Sequence, residues 1–170
     1  MGKSSLAEEL AKRHPLALVV DIDLLRTQLG EWQERPESKL VARDLAIALI
    51  ETHLEQGRDV IVPQFLGRVD FIERLELVAS AAGARFVEVM LTGEPASAVE
   101  RFRERRERLA GRPHPENDIS DSEVESTIAA AADALANVSH RRSRVHRVAA
   151  SGDVNDTCSA LLAAIGEFLG

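Results

Sequence analysis

Three groups of residues have the types and spacing that the chemistry of phosphate groups requires. The first lies at the head of the chain, where Gly2-Lys3-Ser4-Ser5 leads into apolar positions spaced as in a helix. Gly-Lys-Ser matches the last three positions of the phosphate-binding loop G-x-x-x-x-G-K-[ST], in which backbone N–H groups and the Lys hold phosphate oxygens and the Ser hydroxyl binds Mg²⁺. Lys3 is therefore a candidate catalytic residue, Ser4 a candidate metal ligand, and Gly2 through Ser5 a candidate nucleotide site. The alternative is a polar helix cap, because the first glycine of the motif and its preceding strand are not in the sequence.

Two carboxylates form the second group. Asp21 and Asp23 follow a continuous apolar run at 16–20, which predicts a strand buried on both faces. Open α/β sheets bind ligands at the carboxyl ends of their strands. Asp21 is a candidate for holding Mg²⁺, and Asp23 for accepting or orienting the proton of a substrate hydroxyl. The alternative for Asp23 is that it only caps a helix beginning at Leu24.

The third group is a cluster of six arginines between positions 101 and 112. Planar guanidinium groups match phosphate oxygens in pairs, and a mobile arginine-bearing segment can close over ATP and exclude water. Arg105 and Arg112 are the leading catalytic candidates. The alternative is a solvated helix face, because glutamates interleaved with the arginines are spaced for i, i+4 ion pairs.

Three further arginines are candidates for binding an anionic substrate. Arg26 follows the two acids, Arg68 follows the second recognisable strand, and Arg141 precedes the last one. Isolated arginines carry less information than the three groups above, so these assignments depend on where the fold places them.

The remaining pattern predicts an α/β fold with a parallel sheet and helices on both faces. Strands are expected at 16–21, 60–62, 85–91 and 144–149, and helical segments alternate with them. Pro36 opens a long helix that Gly57 ends. The expected buried stripe of that helix consists of Val41, Leu45, Ala48, Leu49 and Thr52. Ser120 with Glu123 predicts a capping box, and Asp153 is expected to cap the last helix.

Composition is consistent with one globular domain over residues 1–170. Hydrophobic residues make up 45% and charged residues 29% of the chain, and the net charge of −7 argues against a general nucleic-acid binder. No apolar run reaches the length of a membrane span. The single cysteine, Cys158, excludes an internal disulfide, and together these features favour a cytoplasmic protein that works as a monomer or homodimer.

Taken together, the motifs resemble those of the P-loop small-molecule kinases, the group that contains shikimate kinase, gluconate kinase and chloramphenicol phosphotransferase. Gly2-Lys3-Ser4 resembles the end of the Walker A motif, and Asp21-Ile22-Asp23 resembles the D-x-D that serves Mg²⁺ and the acceptor hydroxyl. Residues 105–120 resemble the lid. The segment from Arg141 resembles the approach to the adenine-binding turn, here near Gly152 and Asp153.

The resemblance implies a three-layer P-loop fold like that of the nucleoside monophosphate kinases. It also implies ATP and Mg²⁺ as cofactors and transfer of the γ-phosphoryl group to a hydroxyl of a small metabolite or antibiotic. The alternative is a non-catalytic nucleotide-binding or partner-binding module with a degenerate phosphate loop.

The sequence departs from the group in several respects, and two of them concern the phosphate site. No Walker acid follows the strand at 60–62, where Pro63-Gln64 stands. The first strand of the fold, which the group places between the strands at 60–62 and 85–91, is missing ahead of Gly2. We therefore expect that the true chain begins upstream of Met1.

Overall fold

Helices alternate with parallel strands along the whole chain, which confirms the predicted α/β class. The computed structural model describes residues 3–93, 96–150 and 153–166, without the side chains of residues 96 and 97. The elements are α1 (Lys3–Ala11), β1 (Leu18–Val19), α2 (Ile22–Thr27), α3 (Ser38–Leu54), β2 (Val60–Ile61), α4 (Val69–Ala81), β3 (Val89–Thr92), α5 (Ala96–Leu109), α6 (Val124–Arg141), β4 (His146–Ala149) and α7 (Val154–Gly166). Two 3-10 helices, Pro115–Asp118 and Asp121–Glu123, lie between α5 and α6.

The described strands form two separate parallel pairs. Leu18 of β1 pairs with Val60 of β2, and Val89 of β3 pairs with His146 of β4. No ladder joins β2 to β3 within the described residues. These are the pairs expected on either side of the position that the resemblance gives to the central strand.

Both faces of the strands are covered by helices, so the fold has three layers. Val60 packs against one cluster, whose buried members come from α3, α4, the start of α2 and Val20, the residue after β1. The next residue, Ile61, packs against a second cluster from α1, α7 and β4. Since successive strand side chains point to opposite faces, β2 is covered on both sides. The second cluster also receives Val89 and Leu91 of β3, so both strand pairs lie against the same helical layer.

The predicted buried stripe of α3 is wrong. The residues of this helix that enter the core are Ser38, Ala42, Ala46, Ile47 and Ile50. The predicted stripe of Val41, Leu45, Ala48, Leu49 and Thr52 is exposed. This helix has apolar residues on two faces, and a period of 3.6 residues does not say which face meets the sheet.

Helix ends follow the predicted signals more closely. The capping box of Ser120 and Glu123 is present, although it starts the short 3-10 helix that precedes α6. The Asp153 carboxylate accepts the backbone N–H of Asn155 at 2.6 Å and so caps α7. Gly57, which follows α3, has a φ of +69°, a left-handed conformation that glycine adopts without steric cost. Over the described ranges, no helix combines the length and the apolar character needed to cross a membrane.

Candidate active site

The first turn of α1 carries the candidate phosphate-binding residues. Lys3 is the first described residue of the helix and is partly buried, whereas Ser4 and Ser5 are exposed. The first four N–H groups of an α-helix have no intrahelical acceptor and carry partial positive charge, so this end of α1 suits an anion. Gly2 lies outside the described residues.

Lys3 is surrounded by charged groups from three other parts of the chain. Its pKa lies below its ordinary value of 10.5, first because burial disfavours the ammonium ion and second because Arg105 adds positive charge. Glu116, Asp23 and Asp21 act in the opposite direction and favour the charged form. We call these five residues the Lys3 cluster. The structure thus brings together Lys3, both predicted acids and one predicted lid arginine.

The capping role that the sequence suggested for Asp23 belongs to Asp21. Asp21, not Asp23, caps α2: its Oδ1 accepts the backbone N–H of Leu24 at 3.1 Å. Asp23 lies in the first turn of the helix, and its Oδ2 accepts a hydrogen bond from Nε2 of Gln64 at 2.8 Å. The alternative in which Asp23 serves only as the cap is therefore wrong, and its carboxylate faces the end of β2.

The lid segment, residues 105–120, supplies two members of the Lys3 cluster, Arg105 and Glu116. Arg105 on α5 donates from Nε and Nη2 to the two carboxylate oxygens of Glu116, each at 2.6 Å. Its guanidinium carbon also lies 5.4 Å from the centroid of the Phe102 ring. The lid also contacts the α2–α3 loop, where Gln33 donates to Asp118 Oδ1 at 2.9 Å. These contacts fix the position of the Arg105 guanidinium, whose positive charge acts on Lys3.

Two surface grooves among the described residues lie away from the Lys3 cluster. One of about 430 Å³ follows the exposed face of α3 and is lined by residues such as Leu45 and Leu49. A second, of about 350 Å³, lies beside Gly111 in the lid. Neither is lined by Lys3 or Asp23.

Arg26 is held by hydrogen bonds to the start of α3 and to the loop before it. Its Nε donates to the hydroxyl of Ser38 at 2.9 Å and its Nη2 to the backbone oxygen of Trp32 at 3.3 Å. The guanidinium carbon lies 4.9 Å from the centroid of the buried Trp32 ring. Arg26 thus links α2 to the start of α3, and its role toward a substrate stays a prediction.

The other predicted arginines lie on the exposed surface. Arg68 forms an ion pair with Asp70 in the next helix, at 2.5 Å between Nη2 and Oδ2. Arg112 and Arg141 are exposed, the second at the end of α6. Asp153 caps α7, and Gly152 lies outside the described residues. The nucleotide and substrate roles of these residues stay predictions.

The candidate magnesium site has few protein ligands. Within the described ranges, no group of three or more His, Cys, Asp or Glu side chains converges as a metal site. Mg²⁺ bound with a nucleotide keeps several waters and takes one or two carboxylates plus phosphate oxygens, so this chemistry does not require a group of three. The assignment of Ser4 and Asp21 as its ligands stays a prediction.

Two members of the site were not predicted from the sequence. Gln64 reaches Asp23 from the end of β2, and Glu116 reaches Arg105 from the lid. The sequence signal that could have found Gln64 was its position as a polar residue shortly after a buried strand, at the edge of the sheet where the acids also lie. Glu116 had no comparable signal, because its partner is 11 residues away across a turn.

The fold and the Lys3 cluster define a P-loop kinase-like α/β protein, which confirms the resemblance drawn from the sequence. Residues 1–130 match the family described as an AAA domain, and the chain belongs to that family. No curated protein sequence matches the chain at a significant level. Among solved structures, a gluconokinase from Sinorhizobium meliloti 1021 has the same fold, with a TM-score of 0.63 and 19% sequence identity over 98% of this chain and 86% of that chain.

Proposed function

We propose that the protein is an ATP-dependent phosphotransferase that moves the γ-phosphoryl group of ATP to a hydroxyl of a small metabolite or antibiotic. The observation that carries this proposal is the Lys3 cluster, in which an ammonium at a helix N-terminus, two carboxylates and a lid guanidinium share one electrostatic environment. Phosphoryl transfer needs little covalent chemistry from the protein; it needs these charges in the right places.

The phosphates are bound by the first turn of α1. Its free N–H groups and the Lys3 ammonium take the β- and γ-phosphate oxygens, with Gly2 and Ser5 completing the turn. Ser4 and Asp21 hold Mg²⁺, which supplies charge neutralisation on the same oxygens. Gly152 and Asp153 belong to the turn that contacts adenine.

Asp23 handles the acceptor. As the acceptor oxygen forms its bond to γ-phosphorus and the bond from γ-phosphorus to the bridging oxygen of ADP breaks, the hydroxyl proton passes to the Asp23 carboxylate. Arg105 leaves Glu116 and neutralises charge on the transferred group, and Arg112 follows when the lid closes. Arg26, Arg68 and Arg141 are the groups proposed for the acceptor's own anionic part.

The first acceptor to test is gluconate, because the S. meliloti structure with this fold is a gluconokinase. The proposal includes action in the cytoplasm, as a monomer or homodimer, without a nucleic-acid or membrane partner. The second candidate function is a nucleotide-binding module without catalysis, which the test below separates from a kinase.

The test is an acceptor panel with Mg·ATP, read by mass spectrometry of the products. The panel contains gluconate, shikimate, other polyhydroxy acids and hydroxyl-bearing antibiotics. We expect one product heavier than its acceptor by a phosphoryl group, lost in Lys3→Met and Asp23→Asn but kept in the matched controls Lys12→Met and Asp133→Asn. Binding of Mg·ATP without any product would contradict the kinase and support the binding module.

A further inference from the structure

Gln64, which follows β2 and Pro63, connects the end of β2 to Asp23 in the first turn of α2. Gln64 is partly buried, and its backbone N–H donates to the carbonyl of Val62 at 2.9 Å, which turns the chain sharply after the strand. Its side chain then crosses to α2, where it meets Asp23. The contact joins positions 41 residues apart, so it depends on the fold and not on local geometry.

The chemistry of the partners fixes the orientation of the amide. An ionised carboxylate only accepts hydrogen bonds, so the atom of Gln64 that faces Asp23 Oδ2 is Nε2, at 2.8 Å. The amide oxygen of Gln64 therefore points away from this carboxylate. Among the described residues, Oδ1 of Asp23 has no hydrogen-bond donor, so one carboxylate oxygen is held and the other is available.

We propose that Gln64 is the positioning residue for Asp23: its amide fixes one oxygen of the carboxylate, so that the other faces the acceptor hydroxyl. This inference rests on the proposed function of Asp23. A fixed carboxylate contributes to transfer because the acceptor oxygen must approach phosphorus in line, and small displacements of a catalytic group reduce the rate strongly.

An amide suits this position better than an acid. A carboxylate at 2.8 Å from Asp23 would place a second negative charge beside the first and, when ionised, would have no hydrogen to donate to it. Gln64 supplies the hydrogen bond without the second negative charge.

The contact itself can be tested without any substrate. In ¹⁵N-labelled protein, the side-chain amide resonances of Gln64 are assigned by their loss in Gln64→Glu. We expect these resonances to move in Asp23→Ala and to stay in place in Asp59→Ala, which removes an exposed carboxylate bound to His14. Unchanged Gln64 resonances in Asp23→Ala would overturn the inference.

The positioning role is tested by steady-state kinetics with Mg·ATP and the acceptor that the panel identifies. We expect Gln64→Ala to lower kcat by about 10- to 100-fold with little change in the KM for ATP, at every pH. Gln64→Glu replaces the donor with a second negative charge beside Asp23, so its loss of kcat should be at least as large as that of Gln64→Ala. Gln56→Glu, an exposed change of the same chemistry at the end of α3, should leave kcat unchanged.

The outcomes separate the inference from the function on which it rests. If the wild type forms product and Gln64→Ala keeps the wild-type kcat, the inference is wrong and the kinase proposal stands. If the wild type forms no product with any acceptor, the proposed function fails and the catalytic purpose of the contact fails with it.

Discussion

The guanidinium of Arg105 lies against the carboxylate of Glu116, with both Nε and Nη2 at 2.6 Å from an oxygen. This two-point geometry is the one that guanidinium groups also form with phosphate. Glu116 therefore occupies the side of Arg105 with which the proposed phosphate contact would be made. The proposed role of Arg105 requires this pair to open.

Removal of the negative charge of Glu116 should therefore strengthen nucleotide binding. We expect Glu116→Gln to bind Mg·ATP about 3- to 10-fold more tightly by isothermal titration calorimetry, because a neutral amide competes less well for Arg105. Glu107→Gln, an exposed change on α5, is the matched control and should leave the affinity unchanged. Weaker binding in Glu116→Gln would mean that Glu116 supports the nucleotide site.

Lys3 should destabilise the protein when no anion is bound. Because its pKa in the folded protein is below 10.5, the unfolded chain binds more protons over the interval between the two values, and stability rises with pH there. Lys3→Met removes the cost of burying the ammonium. We therefore expect a higher melting temperature than the wild type at pH 7, and a difference that shrinks as the pH approaches 10.5.

The control for this experiment is Lys12→Met. Lys12 is fully exposed and its pKa is raised by a hydrogen bond to Glu9, so its removal should not raise the melting temperature. Mg·ATP should stabilise the wild type and not Lys3→Met. A lower melting temperature for Lys3→Met without ligand would contradict the inference that burial of the Lys3 ammonium costs more than its three neighbouring carboxylates return.

The two apolar faces of α3 should differ sharply in their effect on stability. Ile50 is 3% exposed and Leu49 is 45% exposed. We expect Ile50→Ala to lower the free energy of unfolding by about 2–5 kcal/mol and Leu49→Ala by less than about 1 kcal/mol in urea denaturation. Similar losses for both variants would mean that the outer face of α3 is covered in solution.

Arg141 and Arg142 are adjacent at the end of α6, but only Arg142 is largely buried. Comparing the two shows how much a buried charge contributes to the free energy of unfolding. Arg142 donates to Glu88 Oε2 at 2.5 Å and to Glu76 Oε2 at 2.8 Å, which ties α6 to α4 and to the segment before β3. Loss of a cation from a largely buried pair leaves uncompensated carboxylates. Arg142→Gln should therefore cost about 2 kcal/mol or more of unfolding free energy, and exposed Arg141→Gln less than about 0.5 kcal/mol. Equal losses would contradict this reading of the Arg142 contacts.

Local patterns predicted the elements and their order because strand and helix signals depend on neighbouring residues. The strand before Asp21 was found from its continuous apolar run, and the end of α3 from Gly57. The face that a helix presents to the sheet is set by packing, which explains the error for α3. In the same way, the sequence placed Asp21 and Asp23 together but did not say which one caps α2.

Contacts that join distant parts of the chain were not predictable from spacing. The bond from Gln64 to Asp23 and the bond from Gln33 to Asp118 depend on how β2, α2 and the lid meet. The arginine cluster shows the same limit, because Arg105 and Arg106 are adjacent and both sit among acids. Arg105 enters the Lys3 cluster, whereas Arg106 pairs with Asp121 and the backbone oxygen of Ile119.

The most direct test of the account is a crystal structure of the protein with Mg²⁺ and the non-hydrolysable ATP analogue AMP-PNP. We expect the γ-phosphate to contact the Lys3 ammonium, the Asp23 carboxylate to lie on the open side of that phosphate, and Arg105 to have moved from Glu116 to a phosphate oxygen. A nucleotide bound elsewhere, with Lys3 free of phosphate and the Arg105–Glu116 pair intact, would contradict it.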